Sequence, residues 1–374
     1  MRADLPQPGP DELAHSERLA ALMRHEIEAA GGVLDFARYM ELALYAPGLG
    51  YYSAGAAKFG ASGDFITAPE LGFMFARCLA RALAPTLHET HGDILELGPG
   101  SGALAAELLL ELERLDALPV RCFLLERSAD LRERQRTTLA QRCSHLLDRC
   151  KWLDAPPARP WRGALVANEV IDALPVRAFV LRDGDVFARA VGIDEGGRFV
   201  WREIPADAGL HAAVTRIVPG ASVLPQPYTS EICTLLAPWF AEIVRHLEHG
   251  AAWFIDYGYS RAEYYSPQRA TGTLRCHFRH RAHENPLILP GLQDITAHVD
   301  FDGLSEVGSA AGFETLMESQ AQFLILNGLD EVFANAYADA ADEAARYALA
   351  QQVKRLTLPG QMGEAFLAAT LRRL

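Results

Sequence analysis

The stretch Asp93-Ile94-Leu95-Glu96-Leu97-Gly98-Pro99-Gly100-Ser101-Gly102 decides how the chain folds. Ile94, Leu95 and Leu97 read as a strand buried in a parallel sheet, where apolar residues run on without strict alternation. Gly98, Gly100 and Gly102 then let the backbone turn sharply and leave no Cβ between chain and ligand. From about Ala103, Leu104, Leu108, Leu109 and Leu112 recur at helical spacing. Strand, glycine turn and helix predict a nucleotide-cofactor site at the carboxyl end of a first sheet strand.

The same alternation continues downstream. Residues 120–125 read as a second buried strand ending in Glu126, 150–153 as a third ending in Asp154, and 164–167 as a fourth ending in Asn168-Glu169. A helical pattern through Ile232, Leu235, Leu236, Phe240, Ile243, Val244 and Leu247 leads into a fifth strand, 251–255, ending in Asp256. Strands alternating with helices predict an α/β, Rossmann-like, doubly wound sheet with right-handed crossovers. Residues 1–90 read as an N-terminal helical cover, with helices over 11–30, 35–44 and 69–87 and a lid loop at Gly63-Asp64-Phe65. Residues 91–374 form the main domain. It carries inserted hairpins at about 176–228, signalled by the turns Asp183-Gly184 and Gly196-Gly197, and a polar substrate segment at about 261–301. Phe323 to Leu326 is expected to close the sheet.

Bulk properties narrow the function classes. With 35 Lys+Arg against 48 Asp+Glu the net charge is −13, a poor match to nucleic-acid phosphates and compatible with a cationic ligand or a basic protein segment. The six cysteines show no CxxC pairing, which argues against a zinc site or a disulfide framework and fits a reducing compartment. No apolar run reaches the length of a membrane span, and residues 1–12 resemble neither a signal nor a transit peptide. A cytoplasmic chain is expected.

The acids at the predicted strand ends carry the chemistry. Glu96, Glu126, Asp154, Glu169 and Asp256 would stand along one sheet edge, where carboxylates repel one another unless a cation or a hydroxyl-rich ligand uses them. The glycine spacing alone also fits NAD. Glu96 at the turn and Glu107 early in the helix disfavour a pyrophosphate there and suit an ammonium or sulfonium, so S-adenosyl-L-methionine is the expected cofactor. Its binding residues are expected to be Asp64, Phe65, Glu96, Gly98, Gly100, Gly102, Glu126, Asp154 and Asn168, with Glu126 on the ribose hydroxyls. Glu169 and Asp172, three residues apart, could hold a guanidinium bidentately and take its proton. Alternatively Asp172 caps the following turn and Glu169 pairs with an arginine. His298 is the third candidate catalytic group, though a lone histidine is more often structural. His277, His280, His283 and His298 match no metal-ligand spacing, and the arginines among them would repel a cation.

With these residues assembled, the chain resembles the MidA-type family of S-adenosylmethionine-dependent methyltransferases. The likeness rests on the runs 44–52 (Leu44-Tyr45-Ala46-Pro47-Gly48-Leu49-Gly50-Tyr51-Tyr52), 63–67, 96–102, 168–175, 255–258 (Ile255-Asp256-Tyr257-Gly258) and 292–301, in that order. It implies a class I methyltransferase fold and a protein substrate presenting an arginine, which in the mitochondrial members belongs to a core subunit of respiratory complex I whose assembly they aid. No nucleic-acid partner and no membrane span are expected, and a homodimer is compatible. A small-metabolite methyltransferase and a non-catalytic assembly factor that merely binds the cofactor are the competing readings.

Overall fold

The computed structural model describes residues 5–54, 68–218 and 223–373. Its centre is an eight-stranded sheet containing β1 (Asp93–Leu97), β2 (Cys122–Leu125), β3 (Cys150–Leu153), β4 (Trp161–Asn168), β5 (Leu247–Tyr259), β6 (Glu314–Ser319) and β7 (Phe366–Arg373). The strands lie in the order β3-β2-β1-β4-β5-β7-β6, and the short Val299–Asp300 pairs with the end of β5. β1 to β5 are mutually parallel, whereas β7 runs antiparallel between β5 and β6. The order reverses between β1 and β4, and a crevice opens beyond the carboxyl ends of strands at such a switch point.

Helices cover both faces of the sheet. On one face pack α3 (Phe73–Thr90) and α4 (Ala103–Arg114), whose Leu79, Leu83, Leu104 and Leu108 are buried against Ile94 and Val166. On the other, Phe240 and Ile243 bury against Leu165 and Phe254. α5 (Ala129–Cys143) follows β2, capped where the Ser128 hydroxyl accepts from the Leu131 N–H.

The leader divides between two cores. Helix α1 (Pro10–Ala29) stops at Gly31-Gly32, both left-handed, and α2 (Phe36–Tyr45) starts where Asp35 accepts from the Ala37 N–H at 2.8 Å. Leu19, Met23, Ile27, Phe36, Tyr39 and Met40 from these helices bury against Val176, Val191, Cys276 and Ile295 of the later segments. The intervening Val33–Leu34 pairs with Asp185–Ile193 and joins Arg177–Arg182, Phe199–Pro205 and Tyr228–Ile232 in a five-stranded sheet. α3, by contrast, belongs to the core of the central sheet. Helices 1–2 and the insertion therefore make one layer beside the crevice.

Several expectations are corrected. The helix expected over 69–87 is two pieces, Ala68–Leu71 and Phe73–Thr90, broken at Gly72, whose φ of 146° no ordinary residue adopts readily. Ile232 ends a strand of the insertion, and the helix that follows is only Leu236–Val244. Phe323 to Leu326 lies in the helix Gln320–Leu326, started by a Ser319/Gln322 capping box. The sheet is closed instead by β6 and β7. In the 261–301 segment Arg281–His283, Arg275–Phe278 and Asp294–Thr296 form a three-stranded sheet.

Candidate active site

The ends of β1, β2, β4 and β5 line a cavity of about 600 Å³. In its first half Gly98 (φ 58°) and Gly100 (φ 53°) carry the left-handed turn and reach the lining. Gly102 (φ 83°) stands behind it and starts α4; a Cβ there would lie 3.1 Å from Gln135 of α5. Glu96 is 2 % exposed, its Oε2 has no hydrogen-bond partner among the described residues, and burial lifts its carboxyl to about 8. Glu126 also lines the cavity. It accepts from the Ser128 N–H (2.8 Å) and Gln135 Nε2 (3.2 Å), and burial raises it against those bonds. Gln135, fully buried, also donates to the Gly100 carbonyl at 3.0 Å and accepts from Trp152 Nε1 at 2.8 Å. One amide thus ties the glycine turn to Glu126.

The second half converges from four segments. Glu169 follows β4 at φ 53°, a strained value for a side chain with a Cβ. Asn168 Nδ2 donates to its Oε1 at 3.1 Å, while burial and the nearby Asp172 charge raise it to about 8. Asp172, 5 % exposed, accepts from the Tyr257 hydroxyl through Oδ2, and its Oδ1 is buried without a partner among the described residues. Burial raises it to about 6. Opposite, Tyr52 donates to Asp294 Oδ1 at 2.9 Å, Tyr45 donates to the Ala173 carbonyl at 2.9 Å, and the two tyrosine rings stack at 5.6 Å. His298 lies flat on Tyr259, with ring centres 5.0 Å apart, and its Nδ1 is 3.3 Å from the Thr273 carbonyl. A donor at Nδ1 leaves Nε2 as an acceptor; burial lowers the ring to about 4, so it is neutral at physiological pH.

A family profile described as putative S-adenosyl-L-methionine-dependent methyltransferase matches residues 78–319. The chain belongs to that family. A solved likely methyl transferase from Burkholderia thailandensis, bound to S-adenosyl-homocysteine, is 42% identical, covers 99% of this chain and 95% of its own, and superposes with a TM-score of 0.92. Among curated proteins, the mitochondrial protein arginine methyltransferase NDUFAF7 of Mus musculus is 27% identical over 95% of this chain and 85% of its own length. The Homo sapiens protein of the same name is 28% identical over 90% and 79%.

This methyltransferase therefore binds S-adenosyl-L-methionine, and the first half of the cavity fits it. A buried carboxyl with an unpartnered oxygen is costly until a cation reaches it, and the cofactor's ammonium is such a cation. Glu126, Gly98 and Gly100 line the same half, where Glu126 would accept from the ribose hydroxyls and the turn, bare of Cβ, would let the backbone approach the ligand. Bound there, the cofactor supplies a methyl group on a sulfonium. Glu107 is held by Arg142 and lies near Arg77, so its charge is already compensated, whereas among the described residues that of Glu96 is not.

The row of strand-end acids needs redrawing. Glu96, Glu126 and Glu169 line the cavity, as does Asn168. Asp154 does not: its side chain is 85% exposed and bound by Arg132 at 2.6 Å, because β3 ends at the outer margin of the sheet. Asp256 is buried beneath the turn after β4. Asp172 and Asp294 complete the acidic wall instead. Asp64 and Phe65 lie outside the described residues. Among the described residues no group of three or more His, Cys, Asp or Glu is arranged to hold a metal. Tyr45, Tyr52, Tyr257, Asp294 and Gln135 were given no role from the sequence; all but Gln135 sit in runs that carried the family likeness, where tyrosine beside glycine and acid was the available signal.

Proposed function

We propose that this methyltransferase acts on an arginine side chain of a protein, a respiratory complex I subunit being the expected target. The carrying observation is the acidic wall: Asp172 Oδ1 buried and unpartnered, with Glu169 and Asp294 lining the same cavity. Glu169, raised by burial and by the two neighbouring carboxyls of Asp172 and Asp294, is relieved with them by a delocalised cation, and a guanidinium offers five N–H donors in one plane. The names of the curated mouse and human relatives support the same acceptor. In this reading Asp172 and Asp294 orient the guanidinium toward the methyl group. Glu169 removes the proton that the attacking nitrogen loses, so the side chain stays singly charged after transfer. His298 Nε2 accepts a further N–H.

The test is methyl-labelled cofactor supplied with a complex I-containing extract and with free arginine and small amines. Label recovered as methylarginine after protein hydrolysis is expected. Label confined to small molecules overturns the proposal.

A further inference from the structure

The run Ile255-Asp256-Tyr257-Gly258 finds no complete account in cofactor binding. It ends β5, next to the turn that carries Glu169 and Asp172, and three consecutive residues of it reach that turn. The Ile255 carbonyl accepts from the Glu169 N–H at 2.9 Å. Asp256 Oδ2 accepts from three successive backbone N–H groups, Val170 (3.2 Å), Ile171 (3.0 Å) and Asp172 (3.2 Å), while Oδ1 accepts from the Tyr257 N–H at 2.9 Å. The Tyr257 hydroxyl donates to Asp172 Oδ2. Its ring is held edge-on by His298 (5.0 Å) and Phe366 (5.5 Å), so the hydroxyl has little room to turn away. Gly258 permits the close pairing of the end of β5 with Val299–Asp300, since a Cβ would meet the Val299 carbonyl oxygen at 2.3 Å.

We propose that Asp256 and Tyr257 are positioning residues that set, respectively, the backbone and the charge of the two acids facing the methyl acceptor. Glu169 sits at a φ that a non-glycine residue keeps only where its surroundings over-determine it. A carboxylate filling a nest of three N–H groups supplies that constraint. Asp256 is 1 % exposed and has no cation beside it among the described residues; burial and the Asp172 and Glu169 charges push it up while the N–H donors oppose them. A group under that load does more than fill space. Tyr257 acts on the other acid: its hydroxyl favours the ionised form of Asp172 and leaves Oδ1 as the oxygen offered to the cavity. Asp172 is faced by Glu169 on its own turn, Asp256 and Tyr257 from β5, Asp294 and His298 from the later segment, and Tyr45 and Tyr52 from the leader.

The inference rests on the acceptor reading above, and its test separates the two. Wild type, Tyr257→Phe and Asp256→Asn are assayed from pH 5.5 to 9 on arginine peptides and small amines, with cofactor affinity measured by calorimetry. If wild type methylates only a non-arginine acceptor, the arginine reading fails and the variants are scored on that acceptor. Tyr257→Phe is expected to bind cofactor within about twofold of wild type and to lose roughly tenfold in kcat/KM at pH 6, with the deficit shrinking above pH 8. A deficit that is the same at every pH, or a matching loss of cofactor affinity, overturns the charge role. Asp256→Asn is expected to lower kcat about a hundredfold with KM for the cofactor unchanged; Asp256→Glu, displaced by a methylene, does not rescue it. A rescue overturns the nest. Independently of turnover and of the stability of the Asp256 variants, the Asp172 carboxyl is titrated by carbon NMR. Its midpoint moves to higher pH in Tyr257→Phe, and an unmoved midpoint overturns the assignment.

Discussion

The two halves of the cavity are built in different ways. The cofactor half is local: Glu96, the glycine turn, Glu126 and Gln135 come from β1, β2 and the helices that follow them. The proposed acceptor half gathers Tyr45 and Tyr52 from the leader, Glu169 and Asp172 after β4, Tyr257 from β5, and Asp294 and His298 from the polar segment. Local assembly uses backbone conformation and one orphaned carboxyl. Assembly from afar uses tyrosine hydroxyls as struts, each holding an acid or a carbonyl that another segment contributes. A cofactor site can thus persist while the other half is altered piece by piece, because each half has its own unpaired carboxyl oxygen among the described residues, Glu96 Oε2 in one and Asp172 Oδ1 in the other, on different segments.

The comparison breaks most clearly at Glu169. Glu169→Gln should lower kcat about a thousandfold and leave cofactor affinity within about twofold, read by steady-state kinetics and calorimetry. Equal loss of both would mean that the halves are not separable. Next in size is Glu96→Gln, expected to weaken the cofactor roughly thirtyfold, about 2 kcal/mol, through the lost charge on the ammonium. The sign of its pH effect is opposite for stability and for binding. Glu96 is raised to about 8, so in the cofactor-free chain the folded state holds a proton that the unfolded state releases. Its contribution to stability therefore falls as pH rises from the unfolded carboxyl value to about 8, while cofactor affinity rises over the same window. Glu96→Gln should raise the cofactor-free Tm at pH 8 relative to pH 5, measured against wild type by calorimetric scans.

Smaller effects sharpen the picture. Tyr52→Phe removes one strut from Asp294 and should raise the acceptor KM about fivefold at unchanged cofactor affinity, about 1 kcal/mol. Asp154→Ala deletes an exposed carboxylate bound by Arg132 and should change cofactor affinity by less than about threefold in a binding titration. A larger loss would bring Asp154 back into the cofactor site.

What could be read beforehand follows chain distance. β1, its glycines and α4 are contiguous, so periodicity and glycine chemistry located them to within a residue or two. The Asp183-Gly184 hairpin was equally plain, since both residues take left-handed φ as that turn demands. Phe323 to Leu326 misled because a four-residue apolar run suits a buried strand or a short helix, and the Ser319/Gln322 cap decides for helix. Asp154 and Asp256 misled for another reason. A strand-end acid is legible, but whether its strand lies at the sheet margin or its side chain turns under a loop is not.

The sequence by itself determined the cofactor, because a turn, its glycines and the acid before it act over a few residues through backbone geometry and charge. Only the tertiary structure decided the acceptor wall. Glu169 and Asp172 acquire their raised affinity for protons from burial, and Asp294 joins them through a strand formed 242 residues beyond the tyrosine that holds it. Burial and through-space repulsion are properties of the folded chain, and no local pattern carries them.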